Sequence, residues 1–189
     1  MRIEKLVEYG KYVGIGGYKN VRIENVELFL QDVREKMKST TVQFLNAKLI
    51  ARWEHLFFAV LNALTAFKNS RNISNSLAIE ILLFASAQRQ IKRAFQVLGI
   101  RPETSEIAIV IVDDEQEKIR GAAAMLSEIL LGSEDDSVLE INEEKFNRIR
   151  QAFNIGDEEL KSLSKRKGSE KEALTELVIE HVALLATQR

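Results

Sequence analysis

Ile107-Ala108-Ile109-Val110-Ile111-Val112 is the stretch that decides the fold. An unbroken, mostly β-branched apolar run suits a strand covered on both faces, at the centre of a sheet. Asp113 and Asp114 follow it and suit the start of a helix, because carboxylates favour the positive N-terminal end. That helix is expected through Leu131 on a stripe of Ile119, Ala122, Ala123, Leu126 and Leu130. Earlier in the chain, Thr41-Val42-Gln43-Phe44-Leu45-Asn46 reads as another strand, with Val42 and Phe44 on one side and Thr41 and Gln43 on the other. The glycine-punctuated segment Tyr9 to Tyr18 suits an edge strand or hairpin. Within it, Gly14-Ile15-Gly16-Gly17 lacks the lysine and the following helix of a phosphate loop, so it reads as a glycine-rich turn.

Helical periodicity fills most of the remainder. Val26, Phe29, Leu30, Val33 and Met37 form one stripe from Asn25 onward, and Leu56, Val60, Leu64 and Phe67 form another between Trp53 and Lys68. After the polar loop Lys68 to Asn72, Ser74-Asn75-Ser76 offers N-caps for a helix that is apolar almost all round, which belongs in the middle of a fold. Ile91, Ala94, Phe95 and Leu98 mark a short amphipathic helix ending at Gly99. Glu143 to Phe153 and Ser169 to Thr187 read as helices, Gly132 to Asp136 as an acidic turn, Val138 to Ile141 as an exposed extended link, and Gly156 to Lys167 as a polar stretch. Few strands among many helices imply an α+β fold, a small mostly antiparallel or mixed sheet flanked by helices, in a single domain over residues 1–189.

Composition narrows the function. Of the 189 residues, 46% are apolar, enough for a sizeable core, and the net charge of −1 gives no global field for nucleic acid, so any RNA contact needs a local patch. The chain has no cysteine, which excludes disulfides, a thiol nucleophile and thiolate metal sites. The opening Met1-Arg2-Ile3-Glu4-Lys5 lacks a signal-peptide pattern, and the longest nearly apolar run, Leu77 to Ala87, is too short to span a bilayer. A cytoplasmic protein is expected. The two histidines, His55 and His181, stand in no metal-ligating spacing, and no catalytic elbow is present; neither metal, cofactor nor catalytic set is assigned.

The segment Asn75 to Ile91 is different, because polar residues interrupt an apolar helix. Glu80 needs a partner, since a buried lone carboxylate is costly. Arg89 lies nine residues on, about 13 Å along the axis at 1.5 Å per residue, so a bend or a donor such as Lys48 or Arg52 is required. Gln88, Arg89 and Gln90 suit hydrogen-bond readout of exposed bases.

These residues carry a resemblance. Asn75-Ser76, Glu80-Ile81-Leu82 and Ala85-Ser86-Ala87-Gln88-Arg89-Gln90-Ile91 match the NS…EIL…ASGQRQI signature of the PRPK-binding-protein family (TPRKB-like, with archaeal Cgi-type members). Asp135-Asp136-Ser137-Val138-Leu139-Glu140-Ile141-Asn142-Glu143 resembles the family's DDSVLEINE, and Gln43 to Ala47 and His55 also fall where archaeal members carry them. The similarity runs from about Thr41 to Phe153. Ala87 departs from it, standing where many members have glycine, and is expected to let the helix continue.

The resemblance implies a non-catalytic subunit of KEOPS, the complex that installs threonylcarbamoyl on the adenosine beside the tRNA anticodon. It implies binding to the kinase-like ATPase subunit and, in archaeal members, capture of the single-stranded CCA 3′ end of tRNA. On that reading Asn75, Ser76, Ser86, Gln88, Arg89 and Gln90 meet bases and sugars, and Lys68, Arg71 and Arg93 meet phosphates. For the kinase, the final helix offers Leu174, Leu177, Val178, Val182 and Leu185, with Ile179, Ala183, Leu184 and Ala186 widening its apolar face; Val138 and Ile141 of the link would contribute. Two other readings stand beside this one. One is a hydrolase or transferase using Glu80 with Arg89 or His55; the other is weak self-association through the terminal helix.

Overall fold

The computed structural model describes residues 1–167 and 169–187. Its fold is α+β, and the backbone divides into two compact units, each assembled from separated segments. One unit comprises Met1–Ala47 and Gly99–Val138, the other Lys48–Leu98 and Leu139–Arg189.

The first unit is built on a sheet. Strands β1 (Arg2–Leu6), β2 (Lys11–Lys19), β3 (Thr41–Asn46) and β4 (Ile107–Asp113) lie in the order β1-β2-β4-β3, antiparallel at every described pairing. As its composition predicts, β4 is central: Ile109 faces Gly16 of β2 and Phe44 of β3, and every residue of the strand is buried. Ile107, Ile109 and Ile111 form a core with Val33 of α1 (Val26–Lys36) and with Ile119 and Leu126 of α5 (Gln116–Ile129). Asn25 caps α1, its side-chain oxygen accepting the Leu28 N–H at 3.0 Å. Asp113 starts the turn into α5 by accepting the N–H groups of Asp114 and Glu115 at 2.7 and 3.2 Å.

Two readings of this unit are corrected. Gly14, Gly16 and Gly17 lie inside β2 and form no turn; the hairpin turn is at Gly10, with φ +61°. Glycine is required in the strand for close approach, because a Cβ on Gly14 would come within 2.6 Å of the Ile119 side chain and one on Gly17 would run into Val138. The acidic turn after α5 contains a short strand, β5 (Ser133–Glu134), which pairs with β2, so the sheet has a fifth member.

The second unit is helical: α2 (Arg52–Lys68), α3 (Leu77–Ala85), α4 (Ile91–Leu98), α6 (Glu143–Ala152), α7 (Asp157–Lys167) and α8 (Glu170–Thr187). α2 packs against α3 and α8, and α7 packs on α8. Glu80 to Ala85 are wholly buried, the central placement that an all-round apolar helix demands. The stretch read only as polar, Gly156 to Lys167, is mostly α7; its acidic first turn (Asp157, Glu158, Glu159) suits a helix start, and Leu160 anchors it. The link before α6 is not extended or exposed: Asp136–Leu139 form a 3-10 turn, and Val138, Leu139 and Ile141 are buried. Among the described residues no helix is long and apolar enough to cross a membrane.

Candidate functional site

The polar residues singled out in the sequence sit at the two ends of α3, and both ends are shaped by the same backbone device. Where α2 stops, Ser70 turns left-handed (φ 53°), its N–H donating to the Phe67 carbonyl at 3.1 Å while the Arg71 N–H reaches Ala66 at 2.8 Å. Where α3 stops, Ala87 does likewise (φ 49°): its N–H reaches Phe84 at 2.9 Å and the Gln88 N–H reaches Leu83 at 3.0 Å. Both are Schellman motifs, in which glycine is the usual left-handed residue. Ala87 therefore ends the helix instead of extending it. An L-residue in that conformation costs about 1–2 kcal/mol.

Beneath these corners lie two buried titratable groups. Glu80, 0% exposed, turns its carboxylate to backbone, accepting the Ile73 N–H at 3.1 and 3.3 Å and the Ser74 N–H at 3.0 Å. It thus fastens the loop between α2 and α3 to the helix that follows. His55, also 0% exposed, accepts the Ala51 N–H on Nδ1 at 3.1 Å. The proton must then be on Nε2, which donates to the Ala85 carbonyl at 2.7 Å, so the neutral ring joins the start of α2 to the end of α3. Burial pushes its pKa down to about 4; the Ala85 hydrogen bond opposes the shift and nearby Lys145 adds to it. Both groups spend their polar atoms on backbone, and neither is open to a substrate as the hydrolase reading requires.

The exposed residues divide between the two ends. Lys68, Arg71, Asn75 and Ser76 stand exposed around the loop, with Ser76 opening α3 as its N-cap. At the other end Arg89, Gln90, Lys92 and Arg93 are exposed and Gln88 is half-buried. Ser86 is corrected: it is 1% exposed and donates back to the Leu82 carbonyl at 2.8 Å, so it is no contact for an incoming ligand. Between Glu54 and Glu103 the only acidic residue in the chain is Glu80, and it is buried. The exposed charged residues of this stretch are therefore all cations, in a chain whose net charge is −1. Ile91 and Phe95, one turn apart on α4, add 41% and 38% exposed apolar side chains to it.

The terminal helix needs a second correction. Leu174, Leu177, Val178, Val182 and Leu185 are buried, at 8% exposure or less, and the first three belong to the apolar cluster that includes Ile149 and Phe153. They hold the unit together and cannot also be a partner's direct contacts; the same holds for buried Val138 and Ile141. Periodicity marked the stripe correctly but could not tell the inward side from the outward one. What α8 shows outward is Ile179, Ala183 and Leu184 with Glu172, Glu176 and Glu180. Part of that face lines an open groove of about 570 Å³ together with Phe58 of α2 and Leu163 of α7. Its wall also carries Arg52 and Glu54, 3.6 Å apart, whose buried Nε and Oε2 find no hydrogen-bond partner among the described residues. Apolar side chains flanked by glutamates, with Arg52 also 3.5 Å from the Glu140 carboxylate, suit a protein-docking surface.

Comparison with known proteins supports a regulatory, kinase-binding role. Residues 18–186 match the family described as kinase binding protein CGI-121, and the chain belongs to that family. It is also 34% identical over 141 residues to the regulatory protein Cgi121 of Methanocaldococcus jannaschii, an alignment covering 75% of this chain and 83% of that one.

Proposed function

We propose that this chain is the non-catalytic regulatory subunit of a KEOPS-type complex for tRNA threonylcarbamoyladenosine modification in the cytoplasm, with two separate binding surfaces on its helical unit. The α8 groove takes the kinase-like ATPase subunit, and the ends of α3 with α4 take the single-stranded CCA 3′ end of tRNA. The observation that carries this reading is the opposite chemistry of the two surfaces. The stretch from His55 to Leu98 exposes Lys68, Arg71, Arg89, Lys92 and Arg93 with no exposed carboxylate among them. The α8 face instead sets glutamates around an apolar floor.

A polyanion is repelled by the second surface and attracted by the first. A short RNA tail needs only a few phosphate contacts, and Gln88, Arg89, Gln90 and Asn75 supply donors and acceptors for base edges, which are accessible when RNA is unpaired. Phe95 offers a face on which a base can stack. The kinase partner follows from the family's description, and the groove is where its docking costs no core residue. Gel-shift titration of tRNA with an intact 3′ end, against the same tRNA trimmed of its last three nucleotides, tests the RNA half. The intact form is expected to bind at least tenfold tighter; equal binding would remove the assignment.

A further inference from the structure

We infer that Glu80 is a positioning residue for RNA: from inside the helical unit its carboxylate sets the conformation of the loop that presents Asn75 and Ser76. The inference rests on the proposed RNA-binding reading. Its physical basis is an apparent contradiction. A negative charge directly beneath a basic, phosphate-attracting surface should weaken that surface, by repelling phosphate and offsetting its cations. Yet Glu80 is the one acidic residue retained between Glu54 and Glu103.

The hydrogen bonds resolve it. Both carboxylate oxygens point at the backbone of the loop, accepting Ile73 N–H and Ser74 N–H at 3.0–3.3 Å. The Ser74 hydroxyl then accepts the Ser76 N–H at 3.2 Å, and Asn72 donates its side-chain N–H to the Ser74 carbonyl at 3.1 Å. One buried carboxylate therefore fixes Ile73 and Ser74 directly, and through Ser74 it fixes Ser76. Ile73 is 42% exposed despite being apolar, so hydrophobic burial does little to hold this loop down. Charge-assisted bonds to backbone N–H are stronger than neutral ones, which suits a carboxylate to the task. The loop is ordered before RNA arrives, and ordering it then costs binding energy no longer.

Positioning and electrostatics predict opposite signs, and that makes the inference testable. Glu80→Gln and Glu80→Leu remove the same charge, but Gln keeps one acceptor oxygen for the loop N–H groups and Leu keeps none. Full-length protein is titrated with a labelled single-stranded oligoribonucleotide ending in CCA and with the same oligomer lacking those three nucleotides. Capture of the kinase-like subunit, which uses a different surface, reports that each variant is folded. The preference for the CCA oligomer is expected to fall roughly tenfold in Glu80→Leu, the loss of one to two good hydrogen bonds, and to fall threefold at most in Glu80→Gln. Binding of the trimmed oligomer should hold or rise slightly in both. If both variants bind the CCA oligomer more tightly with preference unchanged, Glu80 acts only as a charge and the inference is overturned. Should Glu80→Leu fail to fold, tighter binding of the CCA oligomer by Glu80→Gln with its preference unchanged overturns the inference, and a fall in that preference supports it. If the wild type shows no preference for CCA, the RNA-binding reading itself falls and takes this inference with it.

Discussion

Acidification should weaken this fold through His55 in a pH range where few other groups change charge. The imidazole is buried and neutral, with Nδ1 accepting from Ala51 and Nε2 donating to Ala85. A second proton would have to sit on Nδ1, replacing the Ala51 bond with a clash of two donors. Its pKa falls from 6.5 to about 4 in the folded protein. The unfolded chain therefore binds the proton first as pH drops. The stabilisation is complete above pH 6.5 and is lost as pH falls towards 4. Linkage gives a loss of about 2 kcal/mol by pH 5 and about 3 kcal/mol by pH 4. Carboxylates begin to titrate near pH 4, so the wild type must be compared with His55→Gln, which keeps a donor for Ala85 but cannot be protonated. Urea unfolding of both proteins at intervals from pH 8 to pH 4.5 isolates the difference. The variant should be less stable at pH 8 by about 1–3 kcal/mol for the lost acceptor, and the gap should narrow or reverse by pH 5. Parallel pH profiles for the two proteins would refute the argument.

Four other outcomes follow from the geometry. Ala87→Gly should stabilise the chain by about 1 kcal/mol, seen as a higher melting temperature, because the left-handed corner at φ 49° no longer carries a Cβ. Arg89→Glu should abolish binding of tRNA with an intact 3′ end while leaving circular dichroism and kinase capture unchanged, since Arg89 is exposed at the end of α3. On α8, Ala183→Arg should cost at least tenfold in kinase affinity with little change in urea stability. Leu174→Ala, by contrast, should lower stability by about 2–5 kcal/mol, because Leu174 is wholly buried.

Much of the fold was legible because its central strand and most of its helices are locally consistent. The β-branched run at 107–112 needed no partner to identify it, and the stripes of α1 and α2 fix which sides are buried. Other features were hidden because they depend on neighbours distant in sequence. The glycines of β2 looked like a turn, since nothing local shows Ile119 and Val138 pressing on that strand. The acidic start of α7 hid a helix with few apolar anchors. At the candidate site, burial of Glu80 and its need for donors were readable from one carboxylate in an apolar helix. Sequence spacing alone does not reveal that a loop six and seven residues upstream turns its own N–H groups inward to meet that carboxylate. Ser86 matched the family signature yet spends its hydroxyl on Leu82. On α8, only packing separates the stripe that forms the core from the residues that face outward.

The proposed double role, in which one small helical unit holds a kinase and an RNA end at once on chemically opposite surfaces, makes one firm demand on the chain. Its most direct test is titration of tRNA onto the chain already saturated with the kinase-like subunit, with intact and with trimmed 3′ ends. A ternary complex should form whose tRNA affinity depends on the terminal CCA and is not reduced by the kinase. Displacement of the kinase by tRNA, or equal affinity for the trimmed tRNA, would contradict it.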